Sequence, residues 1–342
     1  MAGDRFELFH SNSRLNGPDD CACRSGYTPA TMNKIMNRRP RTSRATFSDI
    51  SPDTVLDYLL WPALLLFSLG GVVLALRAGA DPGLVLFAQS VLNILVIAGL
   101  EALRPARREW ALIGDRALAG DLVHSLLGSI AAGSLGRALL NSGLAVMAAA
   151  LSVSAHESAG SALLQWPIAH WHLALQFVVF LLYVELVGYW YHRLMHRVPV
   201  LWRFHFIHHS PERMHVLKSG RVHWFTGIIG AILKYALPVA LGAPPEFFVA
   251  FAAAHANFRH RVPHAIHYVL NTAGVHHLHH STDLDPGNSN FGYIVSVWDV
   301  VFRSFRHPDH LKLPAVGVDD PVLAPGLAAE LLGPLLRPLW PA

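Results

Sequence analysis

The strongest constraint on this chain is a series of apolar runs, each long enough to cross a bilayer and each ending beside positive charge. Residues 55–77, 84–103 and 173–191 are mostly apolar, and about 20 such residues cover the ~30 Å of hydrocarbon in a membrane. Lipid offers no partner for backbone N–H and C=O groups, so runs of this kind must be helical. A further span is expected within 120–151, where Gly, Ala and Ser are frequent and favour close helix packing. Asp81-Pro82-Gly83 supplies a tight turn between the first two runs. Composition agrees: of 342 residues, 52% are hydrophobic and only 15% charged, against about 25% charged in soluble domains.

The charges orient the spans. Lys34, Arg38, Arg39, Arg41 and Arg44 precede the first run, Arg104, Arg107 and Arg108 follow the second, and Arg193, Arg197 and Arg203 follow 173–191. The positive-inside rule places all three groups in the cytoplasm, which makes a nucleic-acid partner unnecessary for the first. A block at 224–255 is interrupted by Pro238 and by Gly242-Ala243-Pro244-Pro245. It is too short for two crossings and reads as a helical hairpin dipping into the bilayer. The expected fold is an all-α integral membrane protein: about four transmembrane helices, a partly inserted hairpin and a cytosolic, histidine-rich helical cap. Residues 1–50 read as a flexible polar tail, 51–310 as the membrane-embedded domain and 311–342 as a C-terminal tail. Cys21 and Cys23 are the only cysteines, and a lone C-x-C is weak evidence of a metal site.

Histidine is over-represented and badly dispersed. The chain has 22, nearly as many as its 23 acidic residues, and most lie between His192 and His280. Three clusters have ligand spacing: His192-x3-His196, His205-x2-His208-His209 and His276-His277-x-His279-His280. On a helix, positions i and i+4 share a face, whereas adjacent residues diverge by about 100°, so neighbouring histidines can serve two different metals. Imidazole suits zinc, copper, iron and nickel, so the ligands alone do not name the metal.

The boxes HRLMH, HFIHH and HHLHH, followed by Asn290-Phe291-Gly292 and Trp298-Asp299, resemble the fatty acid hydroxylase/sterol desaturase superfamily over residues 170–305. That resemblance implies an integral membrane di-iron oxygenase with its boxes on cytosolic helices. It implies iron ligation by His192, His196, His205, His208, His209, His276, His279 and His280. The family uses further histidines between the second and third boxes. Here the candidates are His255 in His255-Ala-Asn257, His223 in Gly220-Arg-Val-His223, and His260, His264 and His267. His277 reads as a neighbour of the site. Asn290 and Asp299 read as supports of the third box, because metal-bound histidines give their other N–H to such groups. His124 sits in a span, where an ionisable group is a functional candidate, and His10, His307 and His310 read as solvated.

The implied reaction is O2-dependent hydroxylation of a membrane lipid (acyl chain, sterol-like or aminolipid), with desaturation as the alternative for the same two iron ions. The chain has no dinucleotide fingerprint and no fused haem domain, so electrons are expected from a ferredoxin or a cytochrome b5-like protein. A histidine-rich metal transporter is the alternative from another class. It is disfavoured because transporters place ligands near the middle of their spans, and here the boxes flank them.

Overall fold

A computed structural model describes residues 52–130, 167–248, 253–283, 287–308, 315–318 and 326–336, all within the unit Pro52–Ala342. The tail expected over 1–50 and most of the span expected within 120–151 lie outside the described residues. Among the described residues the structure is helical, without a β-strand. Three helices are long and apolar enough to cross a membrane: Asp53–Arg77, Pro82–Leu103 and Leu173–Arg197. The protein is thus an all-α membrane protein.

Helices α1 (Pro52–Arg77) and α2 (Pro82–Leu103) form a hairpin. Its turn follows from local chemistry: Pro82 opens α2 where no N–H is needed, and Asp81 Oδ1 accepts the Leu84 N–H at 2.8 Å. Inside the hairpin, Asn93 Nδ2 donates to Ser68 Oγ at 2.8 Å and Gln89 Nε2 to Asn93 Oδ1 at 3.0 Å, since polar side chains in lipid must satisfy one another. Leu66, Leu74, Phe87 and Leu95 project outward. Such uncovered apolar surface belongs against acyl chains.

Helix α3 (Leu118–Ile130) follows, and helix α4 (Leu173–Arg197) carries the first box. Its 25 residues rise about 37 Å, more than the ~30 Å of hydrocarbon, so the final turns bearing His192 and His196 overrun the apolar run. Pro199 then starts helix α5 (Pro199–His209). A proline cannot continue α4 but suits the first position of a new helix.

Helix α6 (Trp224–Ala240) occupies the interrupted apolar block, with Pro238 inside its last turn. The chain reverses after it at Gly242, whose φ of +71° favours glycine. It re-enters through a 3-10 turn at Pro245–Phe248, where Phe247 meets Phe177 and Phe180 of α4 with ring centroids 5.5 and 5.4 Å apart.

Helices α7 (Ala273–His279), α8 (Val297–Val301) and α9 (Leu327–Leu336) complete the described fold. The segment expected as a C-terminal tail is partly built in. The Gly317 N–H donates to the His280 carbonyl at 3.1 Å, and α9 packs on α5. Glu330 draws it there, pairing with Arg221 at 2.5 Å and with His124 at 3.1 Å.

Candidate metal centre

Nine of the histidines converge as two groups, eight of them buried and His196 half-buried. His192, His196, His205, His209 and His279 form one; His208, His255, His276 and His280 form the other. The split follows helix geometry. Helix α5 sends its i and i+4 pair, His205 and His209, to the first group and His208 to the second. The α7 segment does the reverse, sending His276 and His280 to the second and His279 to the first. The groups share a wall where His209 stacks on His280, with centroids 4.3 Å apart and 22° between the planes.

The ring nitrogens lie at metal-ligand spacing. In the first group, His192 Nε2 is 3.0 Å from both His205 Nε2 and His279 Nε2, and His209 Nε2 is 3.1 Å from His205 Nε2. In the second, His255 Nε2 stands 3.2, 3.0 and 3.1 Å from the Nε2 atoms of His208, His276 and His280. Two nitrogens bound at right angles to one metal at ~2.1 Å are ~3.0 Å apart, so the spacing fits a shared ion.

Tautomers sharpen this test. His192 Nδ1–H donates to the Phe291 carbonyl and His279 Nδ1–H to the Ser289 carbonyl, both at 2.7 Å. His208 Nδ1–H donates to the Arg221 carbonyl at 3.3 Å. A carbonyl only accepts, so these rings present bare Nε2 lone pairs inward, where only a cation satisfies them together. His196 Nε2 is likewise buried without a hydrogen-bond partner. Burial holds His205, His209, His255, His276, His279 and His280 well below the usual imidazole range and His208 at about 4. Neutral rings are the form that binds metal.

The sites are braced through backbone. Asn290 and Asp299 make no hydrogen bond to a histidine ring of either group. Asp299 accepts the N–H groups of Phe291 and Gly292 at 2.8 and 2.7 Å, fixing the carbonyl that orients His192. Asn290 Nδ2 donates to the Val275 and Arg306 carbonyls, both at 3.0 Å. Gly292 is required because a Cβ there would collide with the Val295 carbonyl oxygen. Glu185 Oε2 accepts three successive N–H groups, from Tyr293, Ile294 and Val295, at 3.0, 2.8 and 3.1 Å. Glu101 Oε1 accepts the N–H groups of Val216 and Asn257, both at 2.8 Å. Asn257 also bonds Arg107 through both ends of its amide, pinning the loop that carries His255. His255 Nδ1 and Ser219 Oγ share a hydrogen bond of 3.0 Å.

His223 stands apart from both groups. Its Nδ1 caps α6 by accepting the Phe225 N–H at 3.2 Å, and its Nε2 donates to the Leu331 carbonyl at 3.1 Å, so neither nitrogen is free for a metal. His260 Nδ1 donates to the Phe258 carbonyl at 2.9 Å. His264 stacks on His307 at 3.8 Å, and His267 bonds Thr272 at the start of α7. His307 is buried rather than solvated. His277 faces Trp110 edge-on at 5.1 Å, with its pKa lowered by burial to about 3.

Asp115, Asp121 and His215 form a third acidic grouping, but it already contains its cation. Lys218 Nζ lies 2.7 Å from Asp115 and 2.6 Å from Asp121. Sequence reasoning missed this network. Its one legible sign was the Gly-Arg-x-His element, whose arginine matters more than its histidine.

Residues 177–304 match the fatty acid hydroxylase family. The chain is 31% identical over 291 residues to the ornithine lipid hydroxylase OlsE of Rhizobium tropici, covering 82% of this chain and 84% of that protein. It is 28% identical over 137 residues to the alkylglycerol monooxygenase of Homo sapiens, covering 36% of this chain and 29% of that protein, and 29% identical over 136 residues to that of Danio rerio. No solved structure matches the chain. Histidine geometry, family match and near full-length similarity agree, and the chain belongs to the fatty acid hydroxylase superfamily.

Proposed function

We propose that this chain is a membrane-bound, O2-dependent lipid hydroxylase whose two histidine groups each hold one iron ion. The supporting observation is the convergence of nine imidazoles, eight of them buried and His196 half-buried, into sets of five and four, with no carboxylate in either set among the described residues. The assigned ligands are His192, His196, His205, His209 and His279 for one ion and His208, His255, His276 and His280 for the other. His223 is not assigned to either. Two iron ions in this setting supply the reduction of O2 to an oxidant able to break an unactivated C–H bond.

The chain's own residues keep the site dry and fixed. Phe291 lies 5.2 Å from the His196 ring and Trp202 5.1 Å from it, covering the first group with aromatic carbon. Carbonyl-bound Nδ1–H groups fix ring orientation, and such partners also raise ligand basicity. The substrate we infer is a membrane lipid of the aminolipid kind, because the relative matched over most of its length is an ornithine lipid hydroxylase. It would approach from the bilayer along the spans. We place the histidine groups and the Arg193, Arg197 and Arg203 face on the cytoplasmic side of a multi-pass protein, with residues 51–310 as the catalytic domain. Hydroxylation consumes electrons from outside, and a ferredoxin or a cytochrome b5-like donor fits that basic face.

The test is expression in a host supplied with an ornithine-containing aminolipid, followed by lipid mass spectrometry and metal analysis of the purified protein. Gain of one oxygen atom by the lipid, lost in His279→Ala, and about two irons per chain are expected. Loss of two hydrogens instead would make it a desaturase. Zinc alone, with no O2 consumption under any reductant, would refute the proposal.

A further inference from the structure

One arginine grips His208 from both sides. Its backbone carbonyl accepts the His208 Nδ1–H at 3.3 Å, and its Nε donates to the carbonyl of Ile207, the residue before, at 3.1 Å. This residue, Arg221, is 3% exposed. Its two remaining guanidinium nitrogens are held by carboxylates from distant parts of the chain: NH1 by Asp121 of α3 at 2.9 Å, and NH2 by Glu330 of α9 at 2.5 Å. Glu330 in turn accepts from His124 at 3.1 Å. The α9 backbone adds the bond from His223 to Leu331.

His208 is the sole contribution of α5 to the second group, because His205 and His209 face the first. The bond to the His208 ring therefore acts on a ligand of the second group, and neither His205 nor His209 makes a matching contact with Arg221. The planar guanidinium is suited to this task, since it offers donors in three fixed directions, which an ammonium does not. Charge-assisted bonds to carboxylates are also stronger than neutral ones.

We propose that Arg221, clasped by Asp121 and Glu330, is a positioning residue for the second metal alone, and that helix α9 is thereby a working part of the metal centre. The proposal rests on the two-metal reading above. Groups supporting a metal ligand typically change metal affinity ~10–100-fold when removed, so losing the clasp weakens the second site by that factor and spares the first.

The experiment uses the full chain in detergent, loaded anaerobically with ferrous iron, with metal counted per chain and its release to a ferrous chelator followed in time. Glu330→Gln and Arg221→Lys are compared with wild type, with His208→Ala as the reference for loss of the second site. Expected is wild-type retention of two irons, and in both variants one iron held at the wild-type rate and one released ~10–100-fold faster. Should Arg221→Lys fail to fold, Glu330→Gln decides alone, because Glu330 lies partly at the surface and touches no histidine of either group. Two irons released at wild-type rates from Glu330→Gln would overturn the clasp. So would equal acceleration of both, the mark of general loosening. A wild type holding fewer than two metals would instead sink the two-metal reading on which the clasp rests.

Discussion

His192 Nε2 and His279 Nε2 stand 3.0 Å apart although both rings spend their only proton on a backbone carbonyl. Facing lone pairs at that distance repel, so the fold stores a demand for positive charge between α4 and α7. The two residues are 87 positions apart in sequence, and tertiary structure alone brings them together.

Removing His279 or His276 opens a different group. His279→Ala is expected to empty the first site and His276→Ala the second, each leaving about one metal per chain, with lipid oxidation reduced at least ~100-fold in both. Metal analysis beside turnover checks this. Identical loss of both ions in both variants would show that the sites do not bind independently.

Glu185→Ala withdraws one oxygen from three backbone donors at once. Each buried, unsatisfied donor costs ~1–3 kcal/mol, so a loss of stability on the order of 3 kcal/mol or more is expected. It should appear as a lowered thermal midpoint in detergent. An unchanged midpoint would mean that the 293–295 turn holds without its carboxylate.

Lys218→Met leaves Asp115 and Asp121 without their shared ammonium. Breaking a buried pair by removing one partner costs ~3–5 kcal/mol. Poor recovery of folded protein is expected, and the double change Lys218→Met with Asp115→Asn should restore part of it. A single variant as stable as wild type would show that Arg221 alone compensates Asp121.

Acid should destabilise the metal-free protein. His208 titrates at about 4 in the fold against 6.5 unfolded, because burial disfavours its charged form. Above the unfolded value both states are neutral and the group contributes no pH dependence. As pH falls below it the unfolded chain takes up a proton that the folded chain refuses, and stability drops ~1.4 kcal/mol per pH unit for each such histidine. Thermal midpoints should fall steeply between about pH 6.5 and about pH 4, and bound metal should raise them while leaving that slope in place, because a metal-bound imidazole also refuses the proton. A flat profile in the metal-free protein would contradict neutral burial.

Much of this was legible in sequence because it is periodic or local. Bilayer length alone set the expected limits 55–77 and 84–103, and the helices run Pro52–Arg77 and Pro82–Leu103. The boxes stood out because imidazoles at i and i+4 are rarely needed for packing. What stayed hidden joins distant residues. Arg221 and Glu330 are 109 positions apart, and Glu101 reaches Asn257 across 156. Nothing local marks a carboxylate as the acceptor of three backbone N–H groups, as Glu185 is. In sequence, a histidine before an apolar helix looks the same as ligand or as cap, and for His223 it is the Phe225 N–H, bonded to Nδ1, that marks the cap.

Helix α5 and the α7 segment each feed both groups in opposite proportion, so the separation of the groups is set within a single helical turn on either side. The membrane-facing surfaces of α1, α2 and α4 take no part in fixing it. Substitution along those surfaces can reshape the path for an acyl chain while the ligand frame keeps its dimensions. Lipid preference and metal spacing are thus separable traits, open to change one without the other.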